Sequence, residues 1–355
     1  MPEVTVQSPI GEREVVLSTG KLAGQAGGAV TVRIGDTEVL VTATANAELR
    51  EGVDFFPLTV DVEERMYAAG RIPGSFFRRE GRATEKAILT CRLIDRPLRP
   101  SFADGFRNET QIVSTILSVD MENPYDVISL IGASAALSIS GVPFDGPIGS
   151  VRLAFRDGIW LAMPTFEELE ESVFDLVVAG RRNPSGEIDI MMVEGGSTED
   201  GVRLVRAGQA PANEESIGRG LEEAKGYISD GIDLQARLLS DVEIAETEWP
   251  VVEDYSADLY EQVERMTGEK VAELIAISDR AERKQAQSET AEELLAELGL
   301  EDEAEVRSAE KAFKALVKER IRERVITQGI RMDGRGPADI RPLGADVGVV
   351  PRTHG

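Results

Sequence analysis

The side chains best suited to chemistry in this chain are basic and lie in one short region. Between Arg65 and Arg107 there are ten lysines and arginines against four acids, a local charge of +6. The whole chain of 355 residues carries a formal net charge of −25. An acidic protein that concentrates positive charge in one place is suited to hold an anion there.

The residue types of this region indicate single-stranded nucleic acid. It contains the adjacent residues Phe76 and Phe77, followed by Arg78, Arg79 and Arg82. Aromatic rings can stack on bases, while guanidinium groups form paired hydrogen bonds with phosphates. The alternative is that the arginines complement a helix end or form surface ion pairs, and that the two phenylalanines are core residues.

Short-range patterns predict paired strands in an α+β domain that reaches to about residue 235. Apolar residues alternate on both sides of Gly35-Asp36, which predicts a hairpin over 29–45. The turn signals at 157–158 and 183–186 predict two further strand pairs. Mixed strands and helices in this order are typical of the α+β class.

Two helices are predicted among these strands. The first covers 84–94 and is expected to stop at Pro97, because proline cannot continue a helix. The single cysteine, Cys91, is predicted at a buried position of this helix; a reactive thiol beside Arg92 is the alternative. The second helix, over 128–139, is rich in small residues and could lie close against a sheet.

The chain becomes strongly acidic after the predicted sheet region. From Asp241 to Glu310 there are 22 acids against six bases. Apolar residues keep helical spacing through this region, which predicts a small helical bundle. We interpret its charge as a solvated face and not as a binding site.

Several ordered strings resemble the bacterial polynucleotide phosphorylase family, and its actinobacterial members in particular. The strings are residues 54–58, 76–82, 92–102, 132–136, 140–149, 331–336 and 351–355. The resemblance implies a first ribonuclease PH-like domain over 1–235, an acidic helical domain over 240–325, and the start of a second ribonuclease PH-like domain over 329–355. Because the last of these is incomplete, we interpret the chain as part of a longer protein.

The same resemblance implies phosphorolysis of RNA 3′ ends by inorganic phosphate, with Mg²⁺ or Mn²⁺ in the full-length enzyme. In the family's second domain the metal cluster has an Asp, another Asp six residues later, and a Lys two beyond that. Alignment on Gly149 places Gly146, Arg152 and Ala154 at these positions, and none of these three residues has a side chain that can coordinate a metal ion. Asp145 is one residue out of register. We therefore expect a catalytically degenerate first domain, with no metal site and no complete catalytic set in this chain.

By resemblance, four residues are expected to bind RNA at the narrow entrance of a channel formed by three subunits: Phe77, Arg78, Arg79 and Arg82. We expect Phe77 to be an exposed stacking residue and Phe76 to be a core residue. Three further arginines are assigned to either anion contacts or ion pairs such as one with Asp95: Arg92, Arg96 and Arg99. Arg352 and His354 resemble residues close to the phosphorolytic site of the second domain.

The resemblance implies a phosphorolytic 3′-to-5′ exoribonuclease active in mRNA degradation, of which this chain supplies RNA guiding and trimer scaffolding. The alternative is a non-catalytic RNA-binding and assembly module; a helical adaptor is poorly supported because it ignores the basic region. Single-stranded RNA, a homotrimer and other RNA-degradation proteins are the expected partners. The N-terminus lacks the pattern of a signal peptide and no apolar run reaches the roughly 18 residues of a membrane helix, so the cytoplasm is expected.

Overall fold

The computed structural model describes residues 2–50, 53–74, 80–244 and 247–352. The chain divides into two compact units, Met1–Val252 and Glu253–Gly355. The first unit combines two β-sheets with helices, and the second is helical. This confirms the predicted α+β class with a following helical region. The finer domain limits drawn from the sequence stay predictions.

A six-stranded sheet carries the N-terminal part of the first unit. Its strands are β1 (Val4–Ile10), β2 (Arg13–Thr19), β3 (Gly28–Ile34), β4 (Thr37–Ala45), β5 (Leu58–Glu64) and β6 (Thr110–Ser118). Their spatial order is β1-β2-β3-β4-β6-β5, and all neighbours are antiparallel except β5 and β6. The predicted hairpin is β3-β4, in which alternate residues such as Val32 and Val41 are fully buried.

A four-stranded antiparallel sheet follows. Its strands are β7 (Ile148–Arg156), β8 (Ile159–Ala162), β9 (Phe174–Arg182) and β10 (Ile188–Ser197), in the order β10-β9-β7-β8. Asp157 and Gly158 connect β7 to β8 with φ angles of 51° and 86°. Both angles lie in the left-handed region that a two-residue hairpin turn requires, so the predicted hairpin is confirmed.

In the described part of the first unit, five α-helices accompany the sheets. They are α1 (Glu85–Leu98), α2 (Asp126–Ser140), α3 (Phe166–Glu170), α4 (Gly201–Arg206) and α5 (Glu214–Ser240). Helix α2 is buried along almost its whole length and packs on β3, β4 and β7. A Cβ atom on Gly132 would lie 2.6 Å from Val41 Cγ2 and 2.8 Å from Val32 Cγ2. Small residues therefore let α2 lie close to the sheet, as predicted.

The end of α1 differs from the sequence prediction, since Pro97 does not stop the helix. Helix α1 passes through Pro97 to Leu98, and a short 3₁₀ turn, Arg99–Ser101, follows. Proline removes one hydrogen bond to the preceding turn, a small loss where the helix is about to end. Cys91 is only partly buried, and burial raises the pKa of its thiol, which disfavours a reactive thiolate.

Over its described residues the second unit is a bundle of three helices, as the apolar spacing predicted. They are α6 (Ala257–Leu274), α7 (Arg280–Leu298) and α8 (Glu303–Gln328). Its core includes Val271 from α6, Leu294 from α7 and Phe313 with Leu316 from α8. None of the helices in the described part of the chain combines the length and the apolar character that crossing a bilayer would need.

Candidate nucleic-acid interface

Of the four residues predicted to bind RNA, Arg82 lies in the described part of the chain. Phe77, Arg78 and Arg79 lie outside the described residues, as does Phe76. Arg82 is exposed just before α1 and makes no hydrogen bond or ion pair with another described residue. Two positions later a threonine hydroxyl caps α1 by accepting a 3.1 Å hydrogen bond from the amide of the third helical residue. The cation is therefore held beside a fixed helix start and is accessible to an anion.

Glu80 lies next in sequence to the predicted arginine pair but binds a different cation. Its carboxylate accepts hydrogen bonds from Arg65 Nη1 at 3.0 Å and from the Met66 amide at 3.0 Å. The Met66 amide and then Arg65 lower the pKa of Glu80. Because this acid is already engaged, it does not neutralise the positive charge at Arg82.

Arg99 forms the ion pair with Asp95 that the sequence offered as an alternative to an anion contact. The guanidinium donates from Nη2 to Oδ1 at 2.7 Å and from Nε to Oδ2 at 3.1 Å. It also donates to the carbonyl oxygens of Phe56 and Leu58, both at 3.1 Å. These bonds tie α1 to the start of β5, which favours a structural role for Arg99.

The side chains of Arg96 and Arg92 are more accessible to an anion than the side chain of Arg99 is. Arg96 pairs with Glu194 at 3.0 Å, and both side chains are largely exposed. An exposed pair of this kind contributes about 0–1 kcal/mol, so a phosphate could replace Glu194 at small cost. Arg92 is exposed, and its side chain has no hydrogen-bond or ion-pair partner among the described residues. Anion contact by these two arginines stays a prediction.

A buried charge cluster centres on Arg152 of β7. Its Nη2 lies 2.6 Å from Asp126 Oδ2 of α2, and its Nη1 pairs with Asp175 of β9. The side chains of Arg152 and Asp126 are only 14% and 11% exposed. Burial acts to lower the pKa of Arg152, but the two carboxylates outweigh burial and raise it. Arg152, Asp126 and Asp175 therefore form a buried ion triad, in which the arginine supplies the positive charge.

The positions that the resemblance compares with metal-binding residues do not form a metal site. Arg152 is engaged in the triad, Ala154 is fully buried on β7, and Gly146 has no side chain. Asp145, one residue out of register, pairs with Arg181. In residues 2–50, 53–74, 80–244 and 247–352 no group of three or more His, Cys, Asp or Glu side chains could hold a metal ion. The donor set therefore does not fit a divalent metal.

Lys86, in the first turn of α1, is a candidate site residue that sequence reasoning missed. Its Nζ lies 4.6 Å from the ring centroids of both Tyr125 and Phe166, and partial burial lowers its pKa. The adjoining cleft has a volume of about 640 Å³, and its charged lining residues are Glu85, Lys86, Arg92, Arg96, Asp126, Arg152 and Glu194. With Asp175, which pairs with Arg152, four cations are matched by four acids, so the charge of the cleft is balanced.

The two residues predicted near a second-domain site fall at the far end of the chain. Arg352 is exposed in the second unit, and His354 lies outside the described residues. Their proximity to a phosphorolytic site stays a prediction.

Two known families match the chain, one in each unit. The family described as "3' exoribonuclease family, domain 1" matches residues 11–143, and the family described as "Polyribonucleotide nucleotidyltransferase, RNA binding domain" matches residues 258–336. Among solved structures, the crystal structure of rice (Oryza sativa) Rrp46 aligns with 66% of this chain and 93% of its own chain, with a TM-score of 0.44 and 12% sequence identity.

Curated proteins named polyribonucleotide nucleotidyltransferase are similar to nearly the whole chain. Those of Salinispora arenicola (strain CNS-205) and Acidothermus cellulolyticus (strain ATCC 43068 / DSM 8971 / 11B) are 50% and 51% identical over 345 residues. That of Mycobacterium avium (strain 104) is 47% identical over 349 residues. Each alignment covers 97% of this chain but 44%, 44% and 47% of the respective relative. The chain spans somewhat less than half of the length of these relatives.

Proposed function

We propose that the chain belongs to the polyribonucleotide nucleotidyltransferase family and supplies the RNA-guiding and scaffolding part of a phosphorolytic 3′-to-5′ exoribonuclease. In the reaction proposed for the longer protein, an oxygen of inorganic phosphate attacks the phosphorus of the last phosphodiester of an RNA 3′ end. The bond from that phosphorus to the 3′ oxygen of the preceding nucleotide breaks, that oxygen takes up a proton, and a nucleoside diphosphate leaves. Repeated cycles would shorten mRNA from its 3′ end.

We assign this chain RNA binding and not RNA cleavage. Phosphoryl transfer is accelerated by cations fixed at the scissile phosphate, and Mg²⁺ or Mn²⁺ would supply that charge in the longer protein. In the first unit the carboxylates Asp126 and Asp175 are both paired with Arg152. Their engagement supports a first unit that holds RNA without cutting it.

The observation that carries the RNA assignment is Arg82, exposed and unpaired among the described residues while neighbouring Glu80 is bound to Arg65. It supports a phosphate contact at the start of α1. We propose that Arg78 and Arg79 extend this contact and that Phe77 adds base stacking. Three copies of the chain would bring these groups together around one RNA strand.

The cellular setting completes the proposal. We expect a cytoplasmic homotrimer that works with other RNA-degradation proteins. The proposed domain order is a degenerate ribonuclease PH-like domain over 1–235, a helical domain over 240–325, and the beginning of a second ribonuclease PH-like domain over 329–355. Arg352 and His354 would then approach the phosphorolytic site of that second domain.

A non-catalytic RNA-binding and assembly module is the second candidate function. It is favoured by the lack of a metal-ligand group among the described residues. The two candidates differ in the longer protein, which releases nucleoside diphosphates from RNA under the first and releases none under the second.

The RNA assignment is tested by single-stranded RNA binding in a salt titration. Arg82→Gln should weaken binding and lower the salt slope by about 0.7, the value for one lost phosphate contact on a single strand. Arg219→Gln is the matched control, because the Arg219 side chain is likewise exposed and has no partner among the described residues, but lies on α5. Equal affinities and slopes for the two variants would contradict the assignment.

A further inference from the structure

Residues 80–84, which lead into α1, are attached at both ends to residues that end or follow β5. At the first end, the Glu80 carboxylate accepts two hydrogen bonds of 3.0 Å, one from Arg65 Nη1 and one from the Met66 amide. These bonds hold the start of the segment against the turn that follows β5.

Thr84, at the other end, is held by Glu64, the last residue of β5. Its hydroxyl donates a hydrogen bond to Glu64 Oε2 and accepts one of 3.1 Å from the Ala87 amide of α1. Glu64 therefore fixes the start of α1 to the end of β5. Arg82 lies midway between Glu80 and Thr84, two residues from each anchor.

Tyr125, the residue before α2, holds the Glu64 carboxylate in this place. Its hydroxyl donates to Glu64 Oε1 at 2.6 Å, so each oxygen of the carboxylate accepts a hydrogen bond. Tyr125 is only 4% exposed, and burial, followed by the bond to Glu64, raises the pKa of its phenol, which remains a donor at neutral pH. A chain of hydrogen bonds thus runs from Tyr125 through Glu64 and Thr84 to the start of α1.

The position of Arg82 depends on these anchors. No hydrogen bond or ion pair with another described residue fixes its exposed side chain. It follows Gly81, and glycine has the least restricted backbone of any residue. Binding a phosphate must order the arginine and the backbone that carries it, which costs free energy. Anchors on both sides order this backbone when the protein folds and so lower the cost at the moment of binding.

We propose that Tyr125 and Glu64 are positioning residues for the RNA contact at Arg82, because they hold the start of α1 where the arginine can meet a phosphate. Neither residue touches RNA in this proposal. The inference rests on the proposed function, in which Arg82 contacts a phosphate, and adds to it residues from β5 and from the start of α2. The competing role is purely structural: the same hydrogen bonds would stabilise the first unit and leave RNA binding unaffected.

Tyr125→Phe tests the proposal without changing charge, because it removes the hydroxyl bonded to Glu64 and keeps the ring. RNA affinity is measured with the 355-residue chain by the anisotropy of a fluorescein-labelled oligouridylate. We expect binding about three- to tenfold weaker, which corresponds to the cost of ordering one long side chain. Tyr227→Phe is the matched control, since the Tyr227 side chain is half-buried on α5 and its hydroxyl has no hydrogen-bond partner among the described residues.

A double-mutant cycle with Arg82→Gln distinguishes positioning from a structural role. If Tyr125 acts through Arg82, adding Tyr125→Phe to Arg82→Gln should leave RNA affinity unchanged. Glu64→Met gives a second measurement, in which charge and positioning act in opposite directions. Loss of a negative charge near RNA would by itself tighten binding, whereas loss of the anchor weakens it. Urea unfolding of each variant records the accompanying change in stability.

The outcomes separate this inference from the function on which it rests. A Tyr125→Phe protein that binds RNA as tightly as Tyr227→Phe, whether or not it is less stable, would overturn the inference. A loss of affinity that persists in full in the Arg82→Gln background would also overturn it, as would tighter RNA binding by Glu64→Met. In each case a loss of affinity in Arg82→Gln relative to Arg219→Gln leaves the proposed function standing, whereas its absence removes both proposals.

Discussion

Replacing Arg152 with Met tests whether the buried triad is structural. Methionine keeps much of the volume of the arginine stem but removes the charge that lies between Asp126 and Asp175. The two carboxylates, with side chains 11% and 33% exposed, would then lie close to each other without a cation. Removing one partner of a buried ion pair costs about 3–5 kcal/mol, because the remaining charge is uncompensated. We expect a loss of stability of this size at pH 7.

The loss should depend on pH in a defined direction. Without Arg152, burial and mutual repulsion raise the folded-state pKa of the two carboxyls above their unfolded values. Groups with a raised folded pKa favour folding when protonated, so the deficit is largest at neutral pH and shrinks as the pH falls through the raised pKa. Comparison of pH 7 with about pH 5 checks this sign.

Urea unfolding followed by tryptophan fluorescence gives the measurement. Both tryptophans, Trp160 and Trp249, belong to the first unit, so the signal reports the unit that contains the triad. Arg156→Met is the matched control: Arg156 lies on the same strand and pairs with Glu171 at 2.6 Å, but its partner is 57% exposed. We expect about 0–1 kcal/mol for that change.

A third variant separates charge from packing. Changing both aspartates to asparagine in the Arg152→Met background removes the buried negative charge and should recover a large part of the lost stability. The structural account of Arg152 is refuted if Arg152→Met loses no more stability than Arg156→Met at pH 7. It is also refuted if the deficit is the same at both pH values.

Three further predictions follow from other parts of the chain. Changing Arg78, Arg79 and Arg82 together to Ala should lower the salt slope of RNA binding by about 2, and an unaltered titration would count against them as phosphate contacts. Burial acts to raise the pKa of Asp120, but hydrogen bonds from neighbouring amides outweigh it and lower the pKa from 3.8 to about 2. Its stabilisation is therefore complete above about pH 4 and is lost as the pH falls towards 2; acid unfolding of Asp120→Asn should lack this dependence. Gly132→Ala should cost about 1–3 kcal/mol, measured by thermal unfolding, because the added methyl would meet two valines of the sheet.

Local patterns were enough to predict most strands of the first unit, and the helices α1 and α2, but not α3, α4 or α5. The 157–158 turn fixes the β7-β8 hairpin because both of its residues adopt positive φ angles, and Asp-Gly tolerates them. The ion pair of Arg99 with Asp95 was also available from sequence, since helical residues four apart face each other. The continuation of α1 through Pro97 could not be predicted from sequence, because helix propensity alone does not determine where the last helical turn ends.

The rest of the candidate site depends on contacts between distant parts of the chain. Arg152 meets Asp126 of α2 and Asp175 of β9 only because the second sheet packs against α2. Lys86 is placed between rings that come from α3 and from the residue before α2. The spacing of residues along the chain does not encode these contacts. Sequence analysis therefore predicted the basic region but did not predict the buried triad around Arg152.

The central claim is that this chain binds RNA but does not phosphorolyse it. The direct measurement is to incubate the purified 355-residue protein with a homopolymer RNA, inorganic phosphate and Mg²⁺ or Mn²⁺, and to quantify nucleoside diphosphates while RNA binding is recorded in parallel. The account predicts salt-sensitive binding with no release of nucleoside diphosphates. Steady release that Asp145→Ala abolishes, and that a mock purification does not show, would contradict it and locate an active site in the first unit.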